Sequence, residues 1–242
     1  MAASTKIEWT EATWNPVTGC QKVSPGCDNC YAATFAERFR GVPGHPYQQG
    51  FDLKLWPDRL ELPLLWKKPR RIFVNSMSDL FEQGVSDDYI REVFDVMGRA
   101  HWHTFQVLTK RSARLARLGQ SLPWTSNIWA GVSIETEQYL WRADHLRGVP
   151  ANVRFISAEP LLGSLANLNL EGIHWLIAGG ESGYGHRPID AEWVRELQVK
   201  SQTAGTAFFF KQWGGRYPKA NGRELDGRTW SEFPIVATDK IR

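Results

Sequence analysis

The 242-residue chain has three cysteines, and all lie in one short stretch, GCQKVSPGCDNCYA (residues 19–32), with six residues between Cys20 and Cys27 and two between Cys27 and Cys30. An odd, tightly grouped set of thiols cannot form a closed disulfide framework, and in a reducing compartment it reads as a metal site. Idle core cysteines would not be expected to crowd into a loop that also carries Pro25 and Gly26. Two metals compete. Structural zinc takes four protein ligands, and the fourth here would have to be His45 or a more distant side chain. A four-iron cluster usually takes four thiolates, so three leave one iron open to a non-protein ligand. The first describes a stabilised binding module; the second describes chemistry.

The elements that must position these thiols are short. Seven runs, at 13–19, 71–77, 104–110, 127–133, 153–160, 174–180 and 206–213, are rich in β-branched or aromatic residues and too short for helices, so they predict strands. Segments with helical spacing alternate with them, at 28–40, 86–100, 111–118, 135–148 and 190–205. Ser86 and Asp190 suit N-caps, and Gly98, Gly119, Gly148 and Gly205 mark expected helix stops. Repeated strand-then-helix units predict parallel strands joined by crossovers. No Gly-rich phosphate turn follows the first run, so the α/β fold expected is a βα-repeat barrel of about six to eight mostly parallel strands, TIM-like and partial or closed. One domain over 1–242 is expected, with a lid or insertion at 41–66 and a basic, aromatic C-terminal extension at 214–242.

The strand interiors are apolar, whereas their C-terminal ends run into SMSDLF, LTKR, VSIET, SAEPL, GGESG and KQWGG. This gathers Ser76, Ser78, Asp79, Thr109, Lys110, Ser133, Glu135, Glu159, Glu181, Ser182 and Lys211 on one rim, the face on which barrel enzymes carry their active sites. Any one of these residues is as well explained as a helix cap or the start of a solvated loop; six coincident strand ends favour a site. Because the cysteine loop follows the first run, a metal would sit over the barrel mouth. Lys110, Glu159 and Glu181 are candidates to supply a proton or pair with a charged substrate. Gly179 and Gly180 either admit a ligand close to the backbone or form a tight strand-to-helix turn.

Composition narrows the classes. At 42% hydrophobic and 23% charged residues the chain can fill one substantial core. The N-terminal MAASTKIEWTEATW lacks the apolar core of a secretion signal, and no run approaches the roughly 20 apolar residues that span a bilayer, so a cytoplasmic protein with no membrane partner is expected. A net charge of +3 permits contact with a polyanion without demanding it. Lys67, Lys68, Arg70 and Arg71, the cations of 110–117, and a tail that mixes Arg and Lys with Trp213, Tyr217 and Trp230 suit a nucleic acid. Solvated helix faces account for the same charges.

A strand, a three-cysteine loop ending C-x-x-C with an aromatic beside the last cysteine, and then a helix on a βα-repeat scaffold resembles the radical S-adenosylmethionine superfamily. That superfamily spaces its first two cysteines by three residues, where this chain has six. The linked set WTEATWNPVTGC, GCDNCYA, SMSDLF, LTKR, GVSIE, SAEPLLG, GGESG and FFFKQWGG, from about Trp9 to Trp230, resembles a phage- and prophage-associated three-cysteine-motif family of unknown function, radical-SAM-like and often found with a three-Cys-motif partner protein.

The resemblance implies that Cys20, Cys27 and Cys30 hold a [4Fe-4S] cluster, with Tyr31 beside the adenine of S-adenosylmethionine or the cluster edge. It implies that Ser76, Ser78 and Asp79 take the place of the superfamily's second-strand glycine-glycine-glutamate element, because the GGE of this chain, Gly179 to Glu181, follows the sixth run. Ser133, Glu135 and Glu159 would reach the ribose or methionine end. The implied activity is reductive cleavage of S-adenosylmethionine to methionine and a 5′-deoxyadenosyl radical, with an electron donor such as flavodoxin. The alternatives are a cluster-bearing redox or scaffold protein working with a partner, and a zinc-stabilised nucleic-acid-binding module.

Overall fold

Period-two alternation along the apolar runs builds one sheet. The computed structural model describes residues 5–217 and 219–235. Its seven main strands are β1 (Ala12–Trp14), β2 (Arg71–Val74), β3 (Thr104–Thr109), β4 (Ile128–Ser133), β5 (Arg154–Ala158), β6 (Trp175–Gly179) and β7 (Ala207–Gln212). Each lies parallel to its neighbours in chain order, with Val74 beside Val107, Gly131 beside Phe155 and Trp175 beside Ala207. Among the described residues no ladder joins β7 back to β1, so the barrel is partial and open. The main helices are α1 (Tyr31–Glu37), α2 (Asp87–Arg99), α3 (Ser112–Gly119), α4 (Trp141–Arg147) and α5 (Ala191–Ala204). No helix among the described residues is long and apolar enough to cross a membrane.

The two faces of the sheet bury different side chains. Ile72, Val74, Val107, Ala130, Val132, Ile156 and Leu176 point outward, into a core shared with Ile90, Phe94 and Met97 of α2, Leu115 of α3 and Val194 of α5. Inward, Phe73, Trp129, Phe155, Trp175 and Phe209 form a second cluster with Trp9. The Trp9 ring lies 4.7 Å from that of Phe73 on β2 and 6.2 Å from that of Trp175 on β6. Strands four places apart in the sheet can share one side chain only if the sheet is curved, and Trp9 therefore marks the barrel interior. Phe233, 5.0 Å from Trp175 and under the guanidinium of Arg71, closes the same end.

The caps expected from sequence are in place: Ser86 accepts from the Tyr89 amide, Asp190 accepts from the Glu192 amide, and Gly205 ends α5 in the left-handed conformation. Gly98, expected to stop a helix, instead lies inside α2, which continues to Arg99 on the buried contacts of Val96 and Met97. The first strand is shorter than expected. It leaves the sheet after Trp14, and Val17–Thr18 pairs antiparallel with Lys54–Leu55 of the 41–66 segment. That segment is stitched down by Trp56 Nε1 to Thr18 Oγ1 (2.9 Å) and Trp14 Nε1 to the Arg59 carbonyl (2.8 Å), so it buttresses the first loop. In the C-terminal extension, Trp230 is buried against Phe208, and Trp213 packs on Phe210 while donating to the Glu224 carbonyl. These two tryptophans, which in sequence suit a nucleic acid, are packing residues in the fold. Residues 236–242 of the expected extension lie outside the described residues.

Gly131 is the one inward position in the middle of β4 without a side chain, and a Cβ there would stand 2.3 Å from the Phe155 ring. The ring is held by the aromatic cluster on its other sides. Gly131→Ala is expected to overpack the barrel and lower unfolding stability by about 1–3 kcal/mol, read as a shift in the urea midpoint at unchanged m-value.

Candidate metal centre

The cysteine loop is laid across the C-terminal mouth of the barrel and pinned at successive strand ends. Gly19 donates its amide to the Met77 carbonyl (2.9 Å) just beyond β2. Its φ of +79° and the Asp52 carbonyl, which would stand 2.3 Å from a Cβ, leave room only for glycine. Ser78 Oγ donates to the Val17 carbonyl (2.8 Å), and the Asn15 side chain bonds both Ser76 Oγ (3.2 Å) and the Met77 amide (3.0 Å). Ser76 and Ser78 thus hold the chain that leads into Cys20. Past Cys20, the Gln21 carbonyl accepts from Arg111 (2.9 Å), which pairs in turn with Asp79 (3.0 Å) and with Glu82. Asp79 also accepts from Thr109 Oγ1 (2.7 Å) and from the amides of Lys110 (3.1 Å) and Phe81 (2.9 Å), so its carboxylate is fully engaged.

The middle of the loop rests on Glu135. Ser24 Oγ donates to Glu135 Oε1 at 2.8 Å and lies 4.0 Å from Cys27 Sγ. A Cβ on Gly26 would stand 2.5 Å from Glu135 Cγ. Glu135 is wholly buried, paired with Arg142 of α4 at 2.9 Å and with Lys110 at 3.5 Å. Arg142 also donates to the carbonyl of Ser133, itself buried beneath the loop. The far end of the loop is clamped from β6. Arg187 donates to the Pro25 carbonyl (2.8 Å) and to Glu181 (2.6 Å), and Asn29 donates to Glu181 (2.9 Å) and to the Gly185 carbonyl (2.9 Å). The Tyr31 hydroxyl, one residue past Cys30, closes back on the Ser76 carbonyl at 2.6 Å.

Across the mouth, Glu159 accepts from Ser157 Oγ (3.1 Å) and pairs with Lys211 (3.0 Å). Gly179 lies against this carboxylate, 2.7 Å from Oε1 to a would-be Cβ, and Gly180 lies against the Trp213 carbonyl at 2.1 Å. Chain packing therefore accounts for both glycines. Of the residues expected at the rim, Ser76, Ser78, Asp79, Glu135 and Glu181 reach the cysteine loop or the strand ends that seat it. Lys110, Glu159 and Lys211 form partly exposed ion pairs that leave polar groups at the mouth. Ser24, Asn29, Arg111, Arg142 and Arg187 were not singled out by sequence reasoning, because each reads locally as a loop polar residue or a solvated helix charge. The one signal was the density of arginine beside the acidic strand ends.

The thiols suit a positively charged group. All three are partly exposed. Burial, and then the Asp79 carboxylate, push the Cys20 thiol up to about 12 against the opposing pull of Arg111; the neighbouring Cys30 and Cys27 add to the rise. A metal taken up by Cys20 as a thiolate must displace its proton, and a positive charge there offsets the repulsion from Asp79. Among the described residues no three His, Cys, Asp or Glu side chains converge tightly enough to hold a single ion. His45, the nearest candidate for a fourth zinc ligand, stacks on Phe39 at 3.8 Å and takes a hydrogen bond from the Tyr47 amide on Nδ1. The donor set thus fits a three-thiolate iron–sulfur cluster better than structural zinc.

The clamp has a pH signature. Burial alone would raise the Glu181 carboxyl, but Arg187 and Asn29 outweigh it and hold the group below the usual glutamate range. A depressed carboxyl contributes stability that is complete above the unfolded value of about 4.3 and is lost as pH falls through the folded one. The stability gap between the native protein and Glu181→Gln is therefore expected to shrink when pH is lowered from about 7 to about 3. Arg187→Ala should leave far-UV circular dichroism intact and weaken iron retention against a chelator by roughly 10- to 100-fold, since it removes a group that orients the ligand loop.

Known structures share this architecture. A cysteine-to-serine variant of spore photoproduct lyase superposes with a TM-score of 0.52 at 14% sequence identity, over 82% of this chain and 63% of that one. Spore photoproduct lyase complexed with dinucleoside spore photoproduct matches with a TM-score of 0.48 at 13% identity, over 77% of this chain and 59% of that one. The chain thus spans less than two thirds of the length of these structures, and what is shared is the fold, a parallel half-barrel with helices outside it. No curated protein matches the sequence. Residues 4–234 match the family described as "Protein of unknown function (DUF5131)", and the chain belongs to that family.

Proposed function

We propose that the protein is a radical S-adenosylmethionine enzyme whose [4Fe-4S] cluster is held by Cys20, Cys27 and Cys30. The observation that carries this reading is the placement of the only three thiols in the chain over the open, polar mouth of a parallel half-barrel. A purely structural metal site closes its coordination with protein ligands. Cys20, Cys27 and Cys30 would hold the four-iron cluster and, as three ligands where four are usual, would leave it open to a cofactor such as S-adenosylmethionine. When bound and reduced, the cluster would supply the one-electron chemistry that splits S-adenosylmethionine and initiates hydrogen abstraction from a substrate.

The chain's own residues position and shield. Glu135, Asp79 and Glu181 seat the loop through Ser24, Arg111, Arg187 and Asn29; Ser76 and Ser78 fix its entry. Tyr31 borders the site beside Cys30. Lys110, Glu159 and Lys211 are the charged groups placed to meet the cofactor's polar end or the substrate. The aromatic floor of Phe73, Trp129, Phe155, Trp175 and Phe209 excludes water from below. Nucleic acid is the substrate class this reading favours, with a partner protein and a flavodoxin-type donor as accessory factors.

Protein reconstituted anaerobically with iron and sulfide is expected to turn brown, and to lose its iron when any one of the three cysteines becomes alanine. Reduced with dithionite or flavodoxin, it should form 5′-deoxyadenosine from S-adenosylmethionine, as read by chromatography. Stoichiometric zinc without iron uptake overturns the cluster. An intact cluster that yields no 5′-deoxyadenosine, alone or with DNA or RNA, overturns the enzyme reading in favour of electron transfer. Glu159→Ala is expected to keep fold and cluster while weakening S-adenosylmethionine binding by an amount equivalent to about 0.5–3 kcal/mol, measured by equilibrium dialysis.

A further inference from the structure

The chain carries 12 tryptophans, 12 phenylalanines and 6 tyrosines, and most are buried or half-buried. Among the described residues five aromatic side chains are largely exposed: Tyr31, Phe35, Trp141, Tyr184 and Tyr217. All five follow the C-terminal end of a strand. Tyr31 and Phe35 are in α1 after the cysteine loop, Trp141 opens α4 after β4, Tyr184 lies after β6 and Tyr217 after β7. The opposite end of the barrel is sealed with aromatics that packing fully accounts for. Aromatic exposure confined to the mouth is a property of that surface, since scattered exposure would put such residues on both ends.

The best-defined part of this rim is Tyr184, Arg216 and Tyr217. Tyr184 is 90% exposed and stands between Gly183 (φ +120°) and Gly185 (φ +83°), at the tip of the loop whose base is the Glu181–Arg187 clamp. Tyr217 is 66% exposed. The Arg216 guanidinium carbon lies 6.0 Å from the Tyr184 ring and 5.7 Å from the Tyr217 ring. The two loops are fastened to each other, the Gly183 amide donating to the Gly215 carbonyl at 2.9 Å beside the Ser182–Gly215 bridge. Arg111, Arg142 and Arg187 are each neutralised by a carboxylate, whereas Arg216 has no ion-pair partner among the described residues.

We infer that this rim is a binding surface for single-stranded nucleic acid, with unpaired bases stacking on Tyr184 and Tyr217 and a phosphate on Arg216. Two exposed rings around an uncompensated guanidinium offer π-faces together with a counter-charge, the combination that holds a strand without reading its sequence. A duplex presents no base faces to such rings. The inference rests on the proposed function in one respect: a strand stacked here would lie beside the cysteine loop, where that chemistry would act on it.

The test is fluorescence anisotropy of end-labelled 12-nucleotide DNA and RNA single strands, and of the matching DNA duplex, with the full chain before and after cluster reconstitution. Single strands should bind more tightly than the duplex, with log K falling as log salt rises. Tyr184→Ala and Tyr217→Ala should each weaken binding by about 5- to 100-fold, and the tyrosine-to-phenylalanine variants should not. Arg216→Ala should reduce the salt slope by about 0.7. All three positions are on the surface, and unchanged thermal melting verifies the fold. Equal affinity for duplex and single strand, no binding at low salt, or undiminished binding by the double tyrosine-to-alanine variant would overturn the inference. Binding is read without any turnover, so a chain that binds single strands but never cleaves S-adenosylmethionine refutes the enzyme reading alone, and the converse result refutes only this surface.

Discussion

Glu135 carries a carboxylate into the protein interior with no exposure to solvent, and the seating of the cysteine loop depends on how that charge is satisfied. An unpaired carboxylate at such a depth would cost several kcal/mol. Arg142, equally buried, reaches it from α4, Lys110 from the end of β3, and Ser24 from the cysteine loop itself. Three separate segments therefore converge on one anion. The backbone at Gly26 lies on its Cγ, so the loop settles into contact with the barrel only because position 26 has no side chain. Deleting the carboxylate would strand Arg142 as an uncompensated interior cation, which makes the pair self-enforcing once formed.

Above and below this anion the barrel has opposite character, produced by one simple rule. Successive strand residues face opposite sides of the sheet, so each strand places every other residue in the lumen. Along β5 the inward sequence reads Phe155, Ser157, Glu159, and along β7 it reads Phe209, Lys211. Aromatic residues come first and ionic ones last. The lumen thus grades from a dry plug to a charged mouth within two residue pairs, and the low dielectric of the plug strengthens the ion pairs above it.

Much of this was legible in the sequence because it follows from local pattern. Parallel strands, crossover helices, the caps at Ser86 and Asp190 and the collection of polar residues at strand ends each rest on periods or spacings within a short window. What was not legible depends on long-range geometry. Nothing near Arg187 in the chain shows that its guanidinium bonds the carbonyl of Pro25, and nothing near Trp230 shows that it packs beneath Phe208 and away from the mouth. Gly180 likewise reads in sequence either as a ligand-facing glycine or as part of a tight turn, and only the fold brings the Trp213 carbonyl into the space of its missing Cβ. The same reason explains why Asp79 and Glu181 were identified as site residues while their arginine partners were not. The acids sit at strand ends, where a pattern exists; Arg187 comes from a loop, where none does, and Arg111 reads in sequence only as one of the cations of 110–117.

The open edge between β1 and β7 leaves the curvature of the sheet unfixed by closure, whereas a fully hydrogen-bonded ring has its circumference set by strand number and stagger. Here the cysteine loop is the chord of an arch. One foot stands on Asp79 and Arg111 past β2 and β3, the keystone contact is Ser24 on Glu135, and the other foot stands on Glu181 and Arg187 past β6. The separation of the sulfurs is thereby geared to the span of the sheet: flattening the arch draws Cys20 away from Cys27 and Cys30, and tightening it brings them together. A rigid inorganic core bridging the three sulfurs would act as the clasp that sets the girth of the protein around it.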